Sequence, residues 1–126
     1  MKSAMDLVMA AKAKIKEVGV AEADAAISDA EVLIDVREPD EYRAGHLQGA
    51  INIPRSLLEF KMGGDPSLEK RDRKIVIYCK TSGRAALAAA SLQEMGYINI
   101  TSIAGGFDGW VAAGKAVTER TMPEFG

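Results

Sequence analysis

The chain has little that would tie it to a metal, to nucleic acid or to a membrane. Its 126 residues include one cysteine and one histidine. A single cysteine excludes an intrachain disulfide and a zinc site built from several cysteines. No apolar run is long enough to span a bilayer, and the net charge of -2 lacks the basic excess that general nucleic-acid binders need. We therefore expect one soluble domain without metal, cofactor, nucleic-acid partner or membrane contact.

The first twelve residues do not form a convincing signal peptide. Asp6 and Lys12 interrupt any apolar stretch there. We therefore expect a cytoplasmic location, where reducing conditions keep a lone thiol free.

Predicted helices alternate with predicted strands along most of the chain. The strands are apolar runs without a polar face, which is typical of a parallel sheet buried on both sides. Strands are predicted over residues 31–37, 50–53, 74–78 and 98–100. Helices are predicted over residues 3–14 with Ser3 as N-cap, 21–27, from 38 until Gly45 stops the helix, 84–96 and 107–113. Residues 56–60 are predicted to form one helical turn, and residues 61–74 a surface connection. This alternation predicts an α/β fold with helices on both faces of a parallel sheet.

The chain is organised around residues 74–88, which predict a buried strand, a short polar loop and the start of a helix. Cys79, the only cysteine, lies where the strand becomes the loop, and Arg84 ends the loop. Ligands of such sheets bind beyond the carboxyl ends of the strands. We therefore expect this loop to be the functional site.

Several features of the loop favour the reactive thiolate of Cys79 over the thiol. Successive backbone N–H groups form a concave anion site, and the following helix adds its positive end. The other candidate binding residues are Lys80, Thr81, Ser82, Gly83 and Arg84. Two alternatives stay open: Cys79 is a buried core residue, and Arg84 pairs with a carboxylate at the helix start.

Other conspicuous residues favour structural roles. His46, the only histidine, is interpreted as a hydrogen-bonded structural residue rather than a base. Asp35 and Arg37 end a buried strand, and buried charges must be paired. Phe107 and Trp110 are interpreted as core anchors.

A positively charged rim is predicted after Pro54, on the side of the loop. Arg55 and Lys61 would steer an anionic substrate, or are ordinary solvated charges. Phe60 and Met62 form an apolar lip beside the loop, or cover the core.

Three separated segments together resemble the single-domain rhodanese family of sulfurtransferases. They are residues 35–54 (DVREPDEYRAGHLQGAINIP), 78–84 (YCKTSGR) and 104–110 (AGGFDGW). The resemblance covers residues 15–117 and implies a five-stranded parallel sheet between helices. It would make residues 15–18 an edge strand, although periodicity alone extends the first helix through them. The implied domain spans residues 15–126 after a helical extension, residues 1–14.

The resemblance also implies a double-displacement reaction. The Cys79 thiolate would take the outer sulfur of a donor such as thiosulfate, and cyanide, a thiol or a protein would accept it from the persulfide. The loop amides and Arg84 would hold the persulfide and the anionic donor. The loop counts six residues from Cys79 to Arg84, whereas the related phosphatase and arsenate-reductase branch carries one more, so sulfur transfer is favoured.

Two positions depart from the family pattern. Many single-domain members carry glycine at the position of Ser82, and proline at the position of Gln48. A phosphatase or arsenate reductase of the same fold, and a non-catalytic module that binds an anion or a partner, stay open as alternatives.

Overall fold

The computed structural model describes residues 1–119 of the chain. The last part of the predicted domain, residues 120–126, lies outside the described residues. The helices are α1 (Ala4–Lys12), α2 (Val20–Asp29), α3 (Pro39–Ala44), α4 (Leu58–Gly64), α5 (Gly83–Glu94) and α6 (Gly106–Ala112), with a 3-10 turn at Arg55–Leu57. The strands are β1 (Lys16–Val18), β2 (Val32–Asp35), β3 (Ile51–Asn52), β4 (Ile75–Tyr78) and β5 (Ile100–Ile103). Among residues 1–119, no helix is both long and apolar enough to cross a bilayer.

The strands form one parallel sheet in the order β1-β5-β4-β2-β3. β4 lies in its centre and is buried on both faces. Ile75 and Ile77 pack with α4 and α5 in one core cluster. Val76 and Tyr78 pack with α2 and α6 in the other. The predicted five-stranded parallel sheet with helices on both faces is therefore confirmed.

The N-terminal helix begins at a capping residue and ends before an edge strand. Ser3 is the N-cap of α1 and forms a capping box with Asp6. α1 packs against α5, and the Cγ2 atom of Val8 lies 3.5 Å from the position that a Cβ would take at Gly83. The following residues do not continue the helix, because β1 pairs with the edge of β5. The edge strand implied by the family resemblance is thus present, and the longer helix is wrong.

Two predicted boundaries are also wrong. α4 is longer than one turn and continues to Gly64, and Leu68 beyond it is buried. Burial of Met62 against α5 stabilises this longer helix. β5 begins at Ile100 rather than at Ile98, whose side chain is 74% exposed. The apolar pattern indicated a strand at residues 98–100 because it could not distinguish this exposed isoleucine from the buried ones.

The turn from β5 into α6 packs against the segment that follows β4. Gly105 and Gly106 have φ angles of 91° and 54°, a region that favours glycine. A Cβ on Gly106 would lie 2.4 Å from the carbonyl oxygens of both Cys79 and Thr81. The N–H of Phe107 donates to the Cys79 carbonyl at 2.9 Å. Only glycine therefore allows α6 to begin this close to the loop.

We expect Gly106→Ala to lower the free energy of unfolding by about 2 kcal/mol or more, because the added methyl group meets backbone on two sides. Urea denaturation measures this change. Gly64→Ala is the matched control, since no atom lies within 4 Å of its added Cβ. Equal stability changes in the two variants would contradict the close packing of α6 on the loop.

Candidate active site

Cys79 lies directly after the central strand, at the base of the loop. The residue is 1% exposed and belongs to the core cluster beneath α5. Its Sγ accepts a hydrogen bond from the backbone N–H of Ala85 at 3.3 Å. The thiol is therefore both a core residue and the innermost group of the loop, so the two interpretations of this cysteine are compatible.

The loop backbone is divided between bonded carbonyls and unbonded N–H groups. The carbonyls of Cys79 and Lys80 accept from the N–H groups of Phe107 and Asp108, at 2.9 and 3.0 Å. Within the described part of the chain, no acceptor pairs with the backbone N–H groups of residues 80–84. Such consecutive free donors at the start of a helix form an anion-binding site. These donors, which follow Cys79 directly in the chain, are therefore available to a ligand.

Arg84 binds a carboxylate that the sequence analysis did not identify as its partner. Its Nη1 and Nη2 atoms donate to the two oxygens of Glu41 on α3, at 2.7 and 3.0 Å. Hydrogen bonds from Arg84 lower the pKa of Glu41 to about 2, and the pKa of Arg84 is raised by the same bonds. Glu41 also accepts from the N–H of Glu38 in the capping box of α3. The alternative interpretation, a helix-start arginine paired with an acid, describes this side chain.

Lys80 is paired in the same way. Its Nζ lies 2.7 Å from the carboxylate of Asp108, in the first turn of α6. The hydroxyl groups of Thr81 and Ser82 form no hydrogen bond within residues 1–119. Ser82 is the N-cap residue of α5 but does not cap the helix through its side chain. These two hydroxyls therefore remain free to contact a ligand.

The two predicted rim cations, Arg55 and Lys61, pair with acids on or directly after α4 rather than with the loop. Arg55 donates to both oxygens of Glu59, at 2.8 and 2.9 Å. Lys61 lies 3.6 Å from Asp65. Phe60 is 80% exposed and covers no core. No hydrogen bond or ion pair joins these rim side chains to residues 79–84 in the part of the chain that the structure describes.

A buried ion pair at the end of β2 supports the elements around the loop. Arg37 binds the carboxylate of Asp35 through Nε and Nη2, and Nη2 also donates to the carbonyl of Gly45 at 2.6 Å. Its guanidinium lies 4.2 Å from the ring centre of Phe107. Although burial disfavours the charge, hydrogen bonds to Asp35 raise the pKa of Arg37. Burial, and then the charge of Asp35, raises the pKa of Tyr78 far above its usual value.

His46 has the hydrogen bonds of a structural residue. Its Nδ1–H donates to the carbonyl of Tyr42 at 2.8 Å, and the two rings stack at 3.8 Å. The backbone of His46 pairs with that of Thr118.

Trp110 is buried, and its Nε1–H donates to the carbonyl of Ala116. Among the described residues, no group of histidine, cysteine and acidic side chains has an arrangement that would hold a metal ion.

Comparison with known proteins places this fold and loop in one family. The family model of the Rhodanese-like domain matches residues 19–113. The chain is 39% identical over 84 residues to the uncharacterized protein YqhL of Bacillus subtilis, with 67% of this chain aligned. It spans 64% of the length of that relative.

A second relative and a solved structure agree with this match. The chain is 37% identical over 76 residues to thiosulfate sulfurtransferase PspE of Escherichia coli, covering 60% of this chain and 71% of that protein. The solved structure of RPA3614 from Rhodopseudomonas palustris, described as a possible tyrosine phosphatase, matches with a TM-score of 0.82 at 30% identity. That match covers 94% of this chain and 96% of the other. The resemblance found in the sequence is confirmed: the chain belongs to the rhodanese-like domain family, which includes sulfurtransferases.

Proposed function

We propose that the chain is a sulfurtransferase that carries sulfane sulfur as a persulfide on Cys79. The observation that supports this most is a run of backbone N–H groups, residues 80–84, unpaired within the described chain and directly after a buried thiol that itself accepts from the N–H of Ala85. Backbone donors in this position stabilise negative charge on sulfur without any rearrangement during the reaction. They suit the thiolate, and equally the terminal sulfur of a persulfide.

The proposed reaction has two displacements. The Cys79 thiolate attacks the outer sulfur of a donor such as thiosulfate, the sulfur–sulfur bond of the donor breaks, and sulfite leaves with the electron pair. A thiol or cyanide then attacks the outer sulfur of the persulfide, and Cys79 leaves as the thiolate. This covalent route divides one transfer into two easier steps. It needs neither a metal nor a redox cofactor.

The other loop residues have distinct proposed roles. The free hydroxyls of Thr81 and Ser82 would donate to the donor molecule. Gly83 begins α5 and lies beside Val8 of α1. A protein persulfide or thiol is a further proposed donor or acceptor, and a reducing cytoplasm is the proposed setting.

A phosphatase activity is the second candidate, because the solved structure of RPA3614 is described as a possible tyrosine phosphatase. The loop of this chain counts six residues from Cys79 to Arg84, one fewer than the family resemblance implies for the phosphatase branch. Sulfur transfer therefore stays the preferred proposal.

We expect intact-mass measurement to show the gain of one sulfur atom after incubation with thiosulfate or glutathione persulfide, and its loss on adding cyanide. Cys79→Ser should gain none, since the hydroxyl is a weak nucleophile near neutral pH. No adduct from any donor, or the same adduct in Cys79→Ser, would contradict the proposal. Turnover of an aryl phosphate by the wild type above the Cys79→Ser background would favour the phosphatase instead.

We expect Arg84→Ala to slow alkylation of Cys79 by iodoacetate about fivefold relative to iodoacetamide, because Glu41 is then left as an unpaired negative charge beside the loop. The ratio of the two alkylation rates removes effects common to both reagents. Arg73→Ala, which removes a cation before the start of β4, is the control. An unchanged ratio in Arg84→Ala would show that this arginine does not affect the electrostatic potential at the Cys79 thiol.

A further inference from the structure

Every cation that the sequence analysis placed at the loop or at its rim is held by a carboxylate. The four ion pairs are Lys80–Asp108, Arg84–Glu41, Arg55–Glu59 and Lys61–Asp65. The acids lie on α3, on α4, directly after α4, and on α6, so they come from several segments around the loop. The loop thus presents hydrogen-bond donors, but its two positive side chains are already neutralised.

The two pairs at the loop itself both have a shortest N–O distance of 2.7 Å, but they differ in exposure, since Lys80 and Asp108 are each about half exposed and Arg84 and Glu41 are more buried. Glu41 binds Arg84 through both oxygens, and its pKa of about 2 keeps it charged at any pH near neutrality. The N–H of Asp108 donates to the carbonyl of Lys80, while its carboxylate holds the ammonium group of the same residue. Asp108 is therefore fixed to the loop by a backbone bond as well as by its side chain, whereas Glu41 is held by Arg84 and by the N–H of Glu38 at the N-cap of α3.

This charge balance distinguishes two classes of sulfur donor. Thiosulfate carries two negative charges and releases a sulfite dianion, so its binding and departure need uncompensated positive charge. The persulfide of a thiol carries at most one negative charge on its two sulfurs and releases a thiolate. Neutral N–H and hydroxyl donors can stabilise that single charge. The site fits the second class better than the first.

We propose that Glu41 and Asp108 determine donor specificity: by neutralising Arg84 and Lys80, they select thiol persulfides over thiosulfate. The inference rests on the proposed sulfur transfer at Cys79. In the selected reaction, the Cys79 thiolate bonds to the outer sulfur of R–S–SH and the S–S bond of the donor breaks. R–S⁻ leaves with the electron pair and takes up the proton of the donor S–H, so that the products are R–SH and the Cys79 persulfide anion.

The test compares two donors on four proteins: wild type, Glu41→Gln, Asp108→Asn and Glu31→Gln. Glu31→Gln is the control, because it removes the same charge at the opposite end of the sheet, where Glu31 accepts from the N–H of Lys74. Single-turnover mass measurement gives the rate constant of Cys79 loading by thiosulfate and by the persulfide of 2-mercaptoethanol, which has no other charged group and so carries at most one negative charge. The ratio of these constants cancels changes that affect both donors alike.

We expect the ratio of thiosulfate to persulfide loading to rise about fivefold to tenfold in Glu41→Gln and in Asp108→Asn, and to stay at the wild-type value in Glu31→Gln. High salt should reduce the rise, since screening weakens the freed charges. Asp108 is about half exposed, so Asp108→Asn tests the idea even where Glu41→Gln disturbs α3.

Loading with an unchanged ratio in both loop variants would overturn the specificity assignment alone. A rise of the same size in Glu31→Gln would overturn it too, because net charge would then be the cause. If no donor loads Cys79 in the wild type, the proposed function fails and the specificity assignment fails with it.

Discussion

The buried ion pair between Asp35 and Arg37 is the interaction on which the site depends. Arg37 contacts the end of β2, the carbonyl of Gly45 after α3, and the ring of Phe107 in α6. Removing one member of such a pair leaves an uncompensated buried charge and costs about 3–5 kcal/mol. α3 carries the carboxylate of Glu41, and α6 holds the loop carbonyls. One guanidinium group therefore contacts both the segment that follows α3 and the first turn of α6, the two helices beside the candidate site.

The loop and the helix that follows β5 form a single unit. Close approach at Gly106, and the two hydrogen bonds from the start of α6, hold the carbonyls of Cys79 and Lys80 against α6. The strand after which the loop begins is central and buried on both faces. The backbone donors are thus arranged by rigid neighbours, which is the condition for stabilising charge without reorganisation. Gly105 and Gly106 therefore support the candidate site although they lie outside the loop.

Local sequence patterns predicted the features that are set by residues close together in the chain. The Ser3 cap, the apolar strands and the strand–loop–helix around Cys79 were all evident in the sequence. The partner of Arg84 was not, because Glu41 lies 43 positions earlier and an acid in a first helical turn is ordinary. The same holds for Asp108 with Lys80. The start of β5 and the length of α4 depend on packing across the sheet, which periodicity does not describe.

Burial of Cys79 has a consequence for the order of events. The resting thiol is 1% exposed and lies under α5, so only small reagents are expected to reach it. A persulfide would extend this side chain by one S–S bond, about 2 Å. Under the proposed chemistry, the outgoing sulfur would then stand nearer the surface than the atom that carries it. An acceptor would then reach the transferred sulfur while the Sγ atom of Cys79 stays buried.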